Sequence, residues 1–209
     1  MKLRRGIFRT NFMGDEMDII TEKRQIRKKI LAARDAMSAE ERARGSLLLT
    51  ERILGHQWYY RAEILLCFVS YGSEISTGAI LEEALRAGKI VFAPKVLSSG
   101  QETPQMQFFK ISSLDELVPG YRGIPEPAGT TEAYPYSREA AERTLMLMPG
   151  AAFDLYRTRL GYGKGFYDRY LADRPALQER TIAVGYRCQM AEKLPRQDTD
   201  IRPVQVICV

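Results

Sequence analysis

The chain has 209 residues, of which 45% are hydrophobic and 27% charged; that is enough apolar material for one large core, and it excludes a disordered or fibrous protein. Its longest apolar run, residues 64–69, falls far short of the roughly 18 residues a membrane-crossing helix needs. The formal net charge is +5, and all of the excess lies in residues 1–30, where nine Lys or Arg face four Asp or Glu. A nucleic-acid surface would spread its cations over a face of the fold, one for each phosphate neutralised. The charge therefore reads as a basic tail followed by a solvated helix face.

Residues 1–20 contain no apolar stretch of about 7 residues such as a signal peptide inserts. They are expected to form a flexible extension, with 21–209 as a single domain. Thr21 is placed to cap a helix whose Ile26, Ile30, Ala33 and Met37 make one apolar stripe. Lys23, Arg27 and Arg34 fall within an arc of about 40° at the border of that stripe. Ser38 and Glu41 spell a capping box for a second helix, ending near residue 52. From residue 63 onward short apolar runs alternate with helical stretches. Strands are expected near 64–69, 90–93, 106–110, 145–148, 182–185 and 204–208, and helices near 77–87, 138–143 and 166–172. The runs ILLCFV and LMLM do not alternate, which suits strands covered on both faces, so the class is α/β around a mostly parallel sheet. Residues 97–137, rich in Pro and Gly, are expected to be loop with one strand, and a connection that long is more often functional than incidental. Cys67, Cys188 and Cys208 show no CxxC spacing and point to a reducing cytoplasm.

The strongest chemical signal is PGAAFDLYRTRLGYGKGFYDRYL at 149–171. Gly161, Gly163 and Gly165 alternate just before a helix, which frees the backbone for positive φ and lets an anion reach the N–H groups. Arg159 and Lys164 add two full positive charges to the same loop, so the segment describes an anion cradle. Neither a Walker A loop nor a dinucleotide fingerprint has this spacing. Asp168, in the first turn of the following helix, would repel a bare phosphate but is a candidate ligand for a magnesium ion carried with it. The loop SYGSEIST at 70–77 leaves the first strand toward the same crevice and places Tyr71 and Glu74 opposite the glycines. His56, the one histidine, lies outside every candidate loop and reads as a surface residue at a helix end. No GxSxG elbow or Cys–His pairing suggests a covalent nucleophile.

The run FDLYRTRLGYGKGFYDRYL, with the basic first helix, the SYGSEIST loop and the GIPEP turn at 123–127, resembles the 5-formyltetrahydrofolate cyclo-ligase family, also called methenyltetrahydrofolate synthetases. The resemblance covers nearly the whole chain from about residue 21. It implies a Rossmann-like, three-layer α/β/α sandwich and a cytoplasmic enzyme. That enzyme would use ATP and Mg2+ to convert 5-formyltetrahydrofolate into 5,10-methenyltetrahydrofolate, with ADP and phosphate as co-products. It implies that Lys23, Arg27 and the run Arg159, Leu160, Gly161, Tyr162, Gly163, Lys164, Gly165, Phe166 and Tyr167 hold ATP. Folate contacts would fall on Val69, Glu74 and residues Tyr162 to Phe166, metal ligation on Asp168 and Asp198, and catalysis on Arg159 and Lys164. The implied partner is a reduced folate, with no nucleic acid and no membrane, and the implied assembly a monomer or weak dimer.

Three positions depart from the family pattern. Arg157 stands where the family has Gly, so its turn must either avoid positive φ or carry strain. Gln197 replaces a His, and Cys208 replaces a Thr. Two other readings compete: a sugar-phosphate isomerase-like enzyme, needing the cradle but neither ATP nor metal, and a non-enzymatic nucleotide- or nucleic-acid-binding protein that uses the basic amino end.

Overall fold

The apolar runs that do not alternate become the interior of a six-stranded sheet in the computed structural model, which describes residues 11–97, 103–130 and 132–209, with side chains from residue 17. The chain runs α1 Asn11–Asp35, α2 Ala39–Leu54, α3 Gln57–Arg61, β1 Ile64–Cys67, α4 Gly78–Arg86, β2 Ile90–Leu97, β3 Gln105–Ile111, β4 Leu117–Pro119 and β5 Pro125–Pro127. It continues α5 Arg138–Glu142, β6 Thr144–Met148, β7 Ala152–Asp154, β8 Arg159–Leu160, α6 Phe166–Ala172, α7 Pro175–Gln178, β9 Thr181–Gly185, β10 Met190–Ala191 and β11 Gln205–Cys208. All six expected strands lie in one sheet of order β11-β9-β6-β1-β2-β3, parallel except for the β2–β3 pair. Among the described residues no helix is long and apolar enough to cross a membrane.

The pleat divides the core. Leu65 and Cys67 face a cluster with Leu49 and Ile53 of α2 and Ile80 and Leu81 of α4. Ile64 and Leu66 face the other cluster, with Leu171 of α6 and Leu177 of α7. Helices on both faces explain why β1 is apolar at every position, and each fully buried leucine contributes about 2 kcal/mol of transfer free energy. The chain starts the sheet in the middle, at β1. It then builds outward to β2 and β3 on one side and to β6, β9 and β11 on the other, so the loops leaving β1 and β6 part from each other at their C-terminal ends. That divergence opens the crevice where ligands bind in open α/β sheets.

Several expectations are corrected. Helix α1 is continuous from Asn11, so Thr21 is an exposed mid-helix residue instead of a cap; of the expected loose extension, residues 11–20 are helical and 1–10 lie outside the described residues. The buried face of α1 also differs: Ala33 is exposed, whereas Lys23 and Arg34 are buried at 6% and 7% exposure. The helix does not lie on the main sheet alone. Ile26 and Ile30 pack on Ala152, Leu160 and Leu194, a platform made by the small sheet β10-β7-β8, where polar groups await the cations. The 97–137 stretch holds more than one strand: β3 is followed by a β4–β5 hairpin pairing Val118 with Glu126. The capping box at Ser38 and Glu41 forms as read.

The turn from β7 to β8 is organised by Asp154, which is 1% exposed. Its Oδ1 accepts from the N–H groups of Tyr156 at 2.9 Å and Thr158 at 2.8 Å, and its Oδ2 from Leu194 N–H at 2.9 Å. The tightness of the turn forces Arg157 to φ 65°, the strained branch of the alternative posed by its sequence. Its side chain is exposed and among the described residues reaches only the carbonyl of Val204. Arg157→Gly is therefore expected to raise the unfolding free energy by about 1 kcal/mol, read as a higher urea midpoint with unchanged slope.

Candidate active site

The Asp154 turn delivers Arg159 into β8, and the glycine loop follows at once. Gly163 and Gly165 adopt φ 92° and 63°, values that L side chains resist, and Gly165 starts α6 from the left-handed region. Three cations of α1 reach this loop and its neighbours. Lys23 Nζ donates to Asp200 Oδ2 at 2.5 Å and Gln197 Oε1 at 2.9 Å. Arg27 Nε donates to the Gly161 carbonyl at 2.7 Å. Arg34 donates to the Tyr162 hydroxyl at 2.7 Å and to Ser73 Oγ at 3.0 Å. The shared arc of Lys23, Arg27 and Arg34 is thus the face that clamps the C-terminal loop, the glycines and the 70–77 loop together.

Two cavities flank the loop. One, of 280 Å³, is largely apolar, with Phe68, Val69, Met106, Tyr121, Tyr162 and Phe166 in its lining and Glu74 and Glu126 as carboxylates in its walls. The other, of 750 Å³, is the more polar of the two, lined by Lys23, Arg27, Arg169, Gly163, Asp198 and Asp200 among others. Arg159, Gly161, Gly165 and Asp168 belong to both. On that common wall Arg159 Nη2 donates to both oxygens of Asp168, at 3.0 and 3.2 Å, and Asp168 also accepts from Ile201 N–H at 3.2 Å. Arg159 is 5% exposed, its guanidinium lies over the Tyr167 ring, and its buried Nε has no partner among the described residues.

The electrostatics of the polar cavity invite an anion. Lys23 is paired with Asp200 and Arg159 with Asp168, which among the described residues leaves Arg27 and Arg169 bonded only to carbonyl oxygens, of Gly161 for the first and of Lys164 and Pro104 for the second. Burial lowers the pKa of Arg27, partly offset by Asp200, so a bound anion would relieve that cost. On the apolar side, burial raises the Glu74 carboxyl above its usual range, against the pull of the Tyr162 hydroxyl, the Tyr71 N–H and Arg34. The Tyr162 ring edge is exposed, but its hydroxyl points inward between Arg34 and Glu74, and burial together with that carboxylate raises its pKa.

The structure brings together most of the residues singled out by sequence. Val69 and Glu74 line the apolar cavity with Tyr162, Lys164, Gly165, Phe166 and Tyr167, and Lys23, Arg27, Leu160, Gly161 and Gly163 line the polar one. Leu160 does so through its backbone, since its side chain is buried against Ile30 and Leu194. Lys164 is exposed and borders the apolar cavity alone, so the loop cation on the polar side is Arg169, one helical turn beyond Gly165. Asp168 and Asp198 both open on the polar cavity, although Asp168 is held by Arg159. Sequence reading missed Asp200, Arg169 and Glu126; the one signal for Asp200 was that a buried Lys23 requires an acceptor. Gln197, at the position of a family His, supplies the other acceptor for Lys23. His56 caps α3 and contacts Gln205, outside the site.

The description "5-formyltetrahydrofolate cyclo-ligase family" matches residues 19–209. The chain belongs to this family. A probable 5-formyltetrahydrofolate cyclo-ligase of Caenorhabditis elegans is 30% identical over 91% of this chain and 92% of its own length. The 5-formyltetrahydrofolate cyclo-ligase of Escherichia coli K12 is 30% identical over 80% and 90%. The solution structure of 5,10-methenyltetrahydrofolate synthetase from Aquifex aeolicus superposes with a TM-score of 0.73 at 29% identity, covering 89% of each chain. The α/β class and mostly parallel sheet agree with that neighbour, and the isomerase-like and nucleic-acid-binding readings are not favoured. The protein is thus an enzyme of the cyclo-ligase family, with the chemistry of folate ring closure.

The raised carboxyl of Glu74 has a consequence for this cyclo-ligase. The native state holds its proton more tightly than the unfolded chain does, so Glu74 costs stability as pH rises through the unfolded value of about 4.3 toward the native one. Glu74→Gln keeps an acceptor for Tyr71 N–H and removes the ionisation. Its melting temperature should exceed that of the parent at about pH 7 and converge with it as pH falls toward about 4.

Proposed function

We propose that the polar cavity takes the triphosphate of ATP and the apolar cavity takes 5-formyltetrahydrofolate, with the glycine loop as the wall across which the terminal phosphoryl group passes. One observation carries this reading: Arg159, Gly161, Gly165 and Asp168 line both cavities, so a group bound on either side meets the other at that wall. A formamide oxygen is a poor leaving group. Phosphorylation of that oxygen makes the formyl carbon electrophilic, a second folate nitrogen attacks it, and phosphate departs. Such transfer asks the protein for positioning and charge rather than covalent participation.

The residues divide that work. Arg27 and Arg169 hold phosphate oxygens beside Gly163 and Gly165, and Arg159, fixed by Asp168, sits where charge moves from nucleotide to folate. Lys164 reaches the same point from the folate side. The aromatic lining, with Tyr121 edge-on to Phe166 at 5.7 Å, suits a flat heterocycle and keeps water from the activated carbon. Among the described residues no group of three or more His, Cys, Asp or Glu is placed to hold a metal alone. Magnesium typically takes one or two carboxylates plus phosphate oxygens, so Asp168 and Asp198 fit an ion that arrives with the nucleotide. Bound there, it would neutralise phosphate charge during transfer. Both cavities are lined by one chain, so a monomer suffices, and the three free cysteines suit a reducing cytoplasm.

The decisive measurement is folate-dependent ADP release followed together with the near-ultraviolet absorption of the cyclised product. Lys164→Ala should lower kcat about 10²-fold with little change in the KM for ATP; turnover within a few-fold of the parent would remove this ammonium from the transfer step. Asp168→Asn should weaken the magnesium dependence of ATP binding, measured by titration without folate. An unchanged titration would strike it from the ligand set.

A further inference from the structure

The apolar cavity contains three carboxylates, and they differ in what they are free to do. Asp168 is held by Arg159 and by Ile201 N–H. Glu74 is engaged by Tyr71 N–H and the Tyr162 hydroxyl, with Arg34 beside it. Glu126, in the middle of β5, is 4% exposed, and its Oε1 accepts from Val96 N–H at 3.2 Å. Among the described residues no donor reaches its Oε2. The Lys95 ammonium bonds to the carbonyls of Pro127 at 2.6 Å and Ala128 at 3.1 Å, and among the described residues no ion pair joins it to Glu126. The backbone makes room for this carboxylate: a Cβ on Gly120 would overlap the Glu126 side chain, and Gly120 has φ −112°, which by itself calls for no glycine.

Resting on the assignment of this cavity to the folate, we propose that Glu126 takes the proton from the folate nitrogen that closes the ring. In ring closure the lone pair of nitrogen 10, a secondary amine, forms a bond to the activated formyl carbon on nitrogen 5. The N–H proton passes to the Glu126 carboxylate, and the carbon–oxygen bond breaks with its electron pair leaving on phosphate. The carboxyl returns its proton to water and the departing phosphate takes one up as hydrogen phosphate, so nothing beyond ATP is consumed. A base for this step must lie in the folate cavity, be shielded from bulk water and have an unoccupied oxygen. Of the three carboxylates, Glu126 alone meets all three conditions.

Glu126→Gln separates this role from a structural one, because the amide oxygen can still accept Val96 N–H. In rapid-mixing experiments on the full-length enzyme with ATP, magnesium and 5-formyltetrahydrofolate, first-turnover ADP should appear at the parent rate. The product chromophore should rise about 10²-fold more slowly. In Glu126→Ala, added formate should restore the chromophore rate without changing ADP formation. A chromophore rate equal to the parent would reduce Glu126 to a cap for Val96. Equal slowing of ADP and chromophore with a raised folate KM would make it a recognition group, and either result, or no rescue by formate, overturns the proposal. Loss of the cavity assignment would look different: the parent itself would release no folate-dependent ADP.

Discussion

A guanidinium buried to 5% exposure can stay in a wall between two cavities only if something fixes it there, and for Arg159 that is Asp168. The pair is asymmetric, one nitrogen serving both carboxylate oxygens, which leaves Nε without a partner among the described residues. Breaking such a pair from one side costs about 3–5 kcal/mol because the remaining charge is stranded. The rest of the site depends on this point. The Asp154 turn sets the register in which Arg159 enters β8, the glycines let the backbone pass between the two side chains, and α6 begins in time to present Asp168 to them.

Helix α1 repeats the theme on a larger scale. It buries Lys23 and Arg34 toward acceptors drawn from Asp200, Gln197, Ser73 and Tyr162, and the Lys23–Asp200 pair joins residues 177 apart in sequence. Lys23 and Arg34 thus spend their charge on order, whereas Arg27 clamps the glycine loop through a carbonyl oxygen and still has its charge to offer a phosphate. Arg27 and Arg169, bonded among the described residues only to carbonyl oxygens, keep that capacity. Of the cations in residues 1–30, Lys23 is buried and Arg27 half-buried, whereas Arg24, Lys28 and Lys29 are exposed.

The main sheet was legible because its strands are too apolar to alternate, and each of the six runs found its place. The small strands β7, β8 and β10 were not, since two or three residues carry no periodicity. The inward cations of α1 were hidden for a related reason: Lys and Arg read as solvent-facing until their acceptors are known, and Asp200 is far along the chain. The glycine loop announced an anion cradle through composition alone, but its division into two cavities depends on which way each side chain leaves the loop. Lys164, counted with the cradle from its sequence position, borders the apolar cavity, and Arg169, which composition did not single out, lines the polar one. Arg157 posed a choice between strain and avoidance, and only the turn held by Asp154 decides it.

The seat of Glu126 follows from the lengths of two strands. Strand β1 pairs with β2 only as far as Phe92, while β2 continues to Leu97 against β3, so beyond Phe92 one side of β2 has no strand paired to it and meets the cavity and the Glu126 side chain of β5 instead. Pro94 is tolerated there because it withholds a donor that would have no strand to meet. Two residues on, Val96 does have an N–H on that side, and an unpaired buried N–H costs about 1–3 kcal/mol. Glu126 satisfies it with one oxygen. The same shortfall of β1 that opens the cavity therefore creates the orphan donor that draws a carboxylate into its wall, with the second oxygen against Gly120, where a Cβ would overlap it.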